Sequence, residues 1–94
     1  DHGMEEERKC NKFLVELAKK NDLRLIATND VHYMRKEDAE AHEIMLCIQT
    51  GARLAEKHFR FPAPEFYFKS EAEMKELFRE LPESITTTRL IAER

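Results

Sequence analysis

Apolar residues recur at helical spacing from residue 5 to about residue 20, where Cys10, Phe13, Leu14, Leu17 and Ala18 follow the i, i+3, i+4, i+7, i+8 rule. Arg8, Lys12, Glu16 and Lys20 line the other side, so the stretch predicts an amphipathic helix stopped by Asn21-Asp22. A short apolar run, Leu25-Ile26-Ala27, comes next and ends abruptly at Asn29-Asp30. It predicts one strand over about 24–31. Acidic Glu37, Asp38 and Glu40 suit the first turn of a second helix, where the backbone dipole favours negative charge. Ala41, Ile44, Met45 and Ile48 mark its expected buried face, widened by Leu46 and Cys47, and Gly51 is its expected stop. A helix apolar over so much of its circumference calls for neighbours on more than one side.

Residues 52–69 are the least regular part. Pro62-Ala63-Pro64 breaks helix and ladder alike, and Phe66-Tyr67-Phe68 suits a brief strand. Ser70 and Glu73 form the pattern of a capping box, in which hydroxyl and carboxylate each accept the other residue's amide proton. Met74, Leu77, Phe78 and Leu81 continue that helix, and Pro82 suits the first turn of a final one with Ile85, Thr88, Ile91 and Ala92 inward. The fold class is therefore helix-dominated α/β: one strand with about four flanking helices.

Chemistry concentrates where the strand ends. Side chains alternate along a strand, so Asp30 and His32 share a face with Cα atoms about 7 Å apart. A carboxylate and an imidazole there are reasonable ligands for a divalent metal, although two ligands alone do not hold a catalytic ion. His42, ten residues on, reads as a partly buried histidine packed near the strand end in preference to a ligand. His2 and His58 have no visible partner and read as surface residues. Phe59, Phe61, Phe66, Tyr67 and Phe68 read as core in preference to a base-stacking platform, because no positive surround accompanies them.

Composition narrows the classes. The chain has 94 residues, 41% hydrophobic and 37% charged, and its 16 basic against 19 acidic side chains give a net charge of −3. That is one small unit without the basic stripe of a nucleic-acid module, so any DNA contact must come from elsewhere in a larger protein. No apolar run approaches a membrane span and no signal-peptide pattern opens the chain. Cys10 and Cys47, with no CxxC, read as two buried thiols in a reducing compartment. Two glycines are too few for a phosphate-binding loop, and no Ser or Cys stands in a nucleophile's setting. A start at Asp1 without Met and a stop within a helical pattern suggest a segment of a longer protein.

Three motifs carry a family resemblance: Ala27-Thr28-Asn29-Asp30-Val31-His32-Tyr33, then Glu37-Asp38-Ala39-Glu40-Ala41-His42, then Leu46-Cys47-Ile48-Gln49-Thr50-Gly51. Phe66-Tyr67-Phe68-Lys69-Ser70, Glu73-Met74, Leu77-Phe78 and Ile91-Ala92-Glu93-Arg94 extend it over nearly the whole chain. In this order they resemble the bacterial replicative DNA polymerase III alpha family, at the C-terminal part of its PHP (polymerase and histidinol phosphatase) domain.

The resemblance implies the following expectations. Residues of about 1–69 belong to a distorted (βα)7 PHP barrel, and about 70–94 form helices leading towards the polymerase core. PHP barrels gather up to three metal ions at the C-terminal ends of their strands, and the last ligand motif, Asp-x-His, is matched by Asp30 and His32. Those ions (Zn, Mn or Mg) support phosphodiester hydrolysis, in some members a 3′–5′ proofreading activity. Other members keep the domain as a non-catalytic scaffold that stabilises the polymerase and docks a separate exonuclease. The expected partners are the remainder of the polymerase chain, DNA in the intact protein and other replisome subunits, with no membrane, in the bacterial cytoplasm. The 94 residues alone are expected to be inactive and to be metal-free or weakly binding.

Overall fold

The computed structural model describes residues 1–56 and 58–94. It holds four α-helices: α1 (Glu5–Lys20), α2 (Ala39–Thr50), α3 (Glu71–Leu77) and α4 (Pro82–Ala92). A single turn of 3-10 helix, Lys36–Asp38, leads into α2. The chain divides into two compact units. One comprises Asp1, Gly3–Thr28 and Lys69–Arg94; the other comprises His2 and Asn29–Phe68.

The first unit is helical. α1 opens with Glu5, Glu6 and Glu7 and closes with Lys19 and Lys20, each cluster at the end where the helix dipole favours its sign. Asn21 satisfies one terminal carbonyl by donating its side-chain amide to Leu17 O at 2.8 Å. The expected capping box is present: Glu73 N–H donates to Ser70 Oγ at 3.2 Å and Ser70 N–H to Glu73 Oε2 at 2.8 Å. α3 ends at Leu77, short of the expected Leu81, and Pro82 opens α4 as its first residue. A groove of about 300 Å³ is lined by Val15, Ala18, Leu23, Leu25, Thr87 and Leu90.

The expected strand at 24–31 is corrected. The run is extended, but no sheet ladder forms among the described residues, and the one bridge is a parallel pairing of Tyr33 with Tyr67. Ala27 N–H instead donates to the α4 carbonyl of Ser84 at 3.1 Å. The reason is supply. A parallel strand takes its backbone partners from neighbours a dozen or more residues away, and among the described residues the one such pairing, Tyr33 with Tyr67, falls beyond the end of the run.

The inward faces of the helices also differ from the periodicity. In α1 only Ala18 is buried, with Asn11 and Val15 half-buried, while Phe13, Leu14 and Leu17 stay exposed. In α2 His42, Glu43, Leu46 and Cys47 turn inward, and Ile44, Met45 and Ile48 point out. In α4 Ser84 and Thr87 are buried and Ile85 is half-buried, whereas Thr88, Ile91 and Ala92 are exposed. Of the two thiols, Cys47 is buried and Cys10 is exposed, against the expectation that both are covered. The buried hydrophobics among the described residues are Ala18, Cys47 and Phe66. So small a core leaves broad apolar faces uncovered, and those faces are the ones the periodicity picks out.

Candidate metal-binding site

The site lies in the unit formed by His2 and Asn29–Phe68, where two extended pieces run side by side. His32 N–H donates to Phe66 O at 2.7 Å, Tyr33 N–H to the same oxygen at 3.3 Å, and Phe68 N–H to Tyr33 O at 3.0 Å. Asn29 adds a side-chain bond from Nδ2 to Tyr67 O at 2.8 Å. Tyr33 Oη accepts from Phe66 N–H at 3.3 Å. Backbone groups that a sheet would have satisfied are satisfied here by this short pairing and its side chains.

On that support Asp30 and His32 lie close together. His32 Nδ1 lies 3.7 Å from Asp30 Oδ1 and 3.1 Å from the Asp30 carbonyl oxygen. Nδ1 is thus the ring nitrogen turned towards Asp30, and a hydrogen bond to the Asp30 carbonyl oxygen requires the proton on that nitrogen. Metal-binding histidines are held in this way, one ring nitrogen donating to an oxygen and the other free to coordinate. The Asp30 side chain is 66% exposed and that of His32 36%, so both are reachable from solvent. The donor set therefore fits a divalent ion: one anionic oxygen ligand and one neutral imidazole. Among the described residues no group of three or more His, Cys, Asp and Glu side chains gathers around a single point.

Around His32 the surroundings are aromatic. Its ring meets Phe61 edge-on at 4.6 Å, Phe66 at 5.9 Å and His42 at 5.8 Å between centroids. His42 is half-buried, as expected, against Tyr33 at 5.2 Å and Phe61 at 4.7 Å. Its pKa is lowered, chiefly because burial disfavours the charged ring and secondarily through the neighbouring His32. His42 also lines a cavity of about 370 Å³ with Tyr33, Glu43, Arg60, Phe61 and Pro64. Of the aromatic run expected to form core, Phe66 is buried and Phe61 half-buried, whereas Phe59 and Phe68 are exposed.

The other two histidines are not the surface residues that sequence suggests. His2 is only 6% exposed and stacks on Phe66 at 4.2 Å and 5° between planes. The His58 side chain is 1% exposed, with Nε2 at 2.7 Å from Glu43 Oε1 and Nδ1 at 2.7 Å from Glu56 O. Two acceptors, one on each nitrogen, favour the doubly protonated ring. Its pKa is raised, first by the Glu56 carbonyl and then by the Glu43 carboxylate. Arg60 reaches that carboxylate too, at 3.4 Å. No local pattern foretold either contact, since His2 meets Phe66 and His58 meets Glu43 only through the fold. Asn29 Oδ1, next to Asp30, is buried without a hydrogen-bond partner.

The chain is similar to DNA polymerase III alpha subunits from diverse bacteria. It is 47% identical over 81 residues to that of Thermus aquaticus, covering 85% of the chain. It is 42% identical over 95 residues to that of Treponema pallidum, covering all of it, and 48% identical over 85 residues to that of Deinococcus radiodurans, covering 89%. The chain spans only 6–8% of the length of these relatives. No family model matches it.

Proposed function

From the premise that this chain belongs to the DNA polymerase III alpha subunits as a short segment of them, we propose that Asp30 and His32 are two ligands of a divalent-metal site completed by the rest of the polymerase. The whole protein then carries out DNA-templated DNA synthesis, and this segment adds part of a PHP centre for phosphodiester hydrolysis, the chemistry of 3′–5′ proofreading. The observation that carries the reading is the proximity of the Asp30 carboxylate to the His32 imidazole, Oδ1 3.7 Å from Nδ1, with both side chains open to solvent.

Asp30 contributes negative charge that holds a cation against nearby phosphate. His32 contributes a neutral nitrogen whose orientation is fixed through Nδ1 by the Asp30 carbonyl. When bound, such ions acidify a coordinated water and stabilise charge on the phosphate and the departing oxygen. Phe61, Phe66 and His42 shield the other flank of His32 and limit the rotations it can adopt.

The rival reading is a scaffold that stabilises the polymerase and docks a separate exonuclease without holding metal. The aromatic packing of His32, and the lack of a third ligand among the described residues, favour it. Metal content of the full-length subunit separates the two. We expect Asp30→Asn and His32→Ala each to lower the manganese or zinc bound by about 10-fold or more at limiting metal. Metal content equal to that of the unsubstituted protein in both variants leaves the scaffold.

A further inference from the structure

We infer that His2 is a positioning residue for the Asp30-x-His32 pair, holding the backbone of Asp30 through a hydrogen-bond acceptor supplied from 28 residues upstream. Asp30 N–H donates to His2 Nε2 at 3.3 Å. His2 itself has little freedom: it is 6% exposed and its ring lies flat on Phe66, 4.2 Å away and 5° from parallel. Phe66 is in turn 5% exposed, and its carbonyl accepts the His32 N–H at 2.7 Å.

The consequence is a closed circuit. The amide of Asp30 ends on one of two stacked rings, and the amide of His32 ends on the backbone of the residue carrying the other ring. Both members of the pair are therefore referred to a single stacked unit. In a barrel the amide of Asp30 would be tied by a neighbouring strand. Here no ladder reaches it, and a buried acceptor from a distant part of the chain takes that place. With the Asp30 backbone fixed, only its side-chain torsions remain to place the carboxylate beside His32. Without the acceptor, the backbone at Asp30 turns and the 3.7 Å approach is lost to motion.

This inference rests on the metal-ligand reading for its functional meaning but not for its geometry, and two substitutions in the full-length subunit test it. His2→Phe keeps an aromatic ring on Phe66 and removes the acceptor. His2→Gln removes the ring and puts an amide oxygen within reach of the Asp30 N–H. In chelator-treated protein, hydrogen–deuterium exchange of the peptide covering residues 29–33 should accelerate about 10-fold in His2→Phe and stay near the unsubstituted rate in His2→Gln. Cobalt(II) affinity, followed by its d–d absorption, should fall by about 10–100-fold in His2→Phe and recover to within about 3-fold in His2→Gln.

Exchange in His2→Phe equal to that of the unsubstituted protein overturns the inference. So does a His2→Gln protein as loose as His2→Phe, because the ring and not the acceptor would then be at work. Should His2→Phe fail to fold, His2→Gln decides by itself: retained protection supports the role and lost protection ends it. Cobalt affinity indifferent to Asp30→Asn and His32→Ala removes the metal reading instead, and the exchange data still decide whether His2 holds Asp30.

Discussion

The two units of the chain are finished to different degrees. Around Asp30 and His32, rings, amides and carbonyls find partners within the same 40-odd residues, and His2, His32 and His42 are tied into one aromatic and hydrogen-bonded patch. In the helical unit the opposite holds. Phe13 is 64% exposed, and Leu14, Leu17, Leu90 and Ile91 are all open. Polar and aromatic contacts over short range settle a small site locally, whereas an apolar helix face needs another surface of matching area. The difference teaches that the contacts around Asp30 and His32 are made within their own unit, while the helical unit keeps apolar faces that it does not cover itself.

The comparison breaks first at Phe66, if it breaks at all. Phe66→Ala removes the ring that His2, Phe61 and His32 all meet, and should cost the full-length subunit about 3–5 kcal/mol in chemical denaturation. A cost within about 0.5 kcal/mol, the range of surface substitutions, would mean the patch is not a packed unit. Phe13→Ala probes the other side. On the exposed face seen here it would be near neutral, so a loss above about 1 kcal/mol in the full-length subunit would show that face covered.

The smallest of the three effects concerns His58. Its pKa is raised in the fold from the usual 6.5, so the protonated ring binds Glu43 and the Glu56 carbonyl better than the neutral one does. The contribution to stability is complete below the unfolded value and disappears as pH climbs through the higher folded value. The difference in melting temperature between unsubstituted protein and His58→Gln should accordingly shrink from about pH 6 to about pH 9. A gap that widens with pH would reverse the assigned charge.

Local signals in the chain were sound where a physical rule acts over a few residues. The Ser70 and Glu73 box, Gly51 at positive φ after α2, and Pro82 at the head of α4 all stand where spacing put them. Asp30 and His32 do lie close together, Oδ1 3.7 Å from Nδ1, but in an extended run that joins no sheet ladder among the described residues, so the strand on which the alternation argument rested is absent. Burial was less legible. The apolar stripe of α1 names Phe13, Leu14 and Leu17, yet Val15 and Ala18 face the groove. Periodicity reports which face wants cover, not which face receives it from the chain at hand.

The order of residues by itself determined the capping box that opens α3, the glycine that closes α2, the proline that opens α4, and which family the chain belongs to. Capping, backbone conformation and alternation depend on neighbours within a few positions, and those are fixed by covalent order. Only the tertiary structure decided that His2 is sunk against Phe66 beneath Asp30 and that His58 is locked to Glu43. It also decided that the extended run joins no sheet ladder among the described residues. Each of these pairs residues between 15 and 64 positions apart, or needs a strand partner from outside, and such a meeting costs loop entropy that only the packed chain repays.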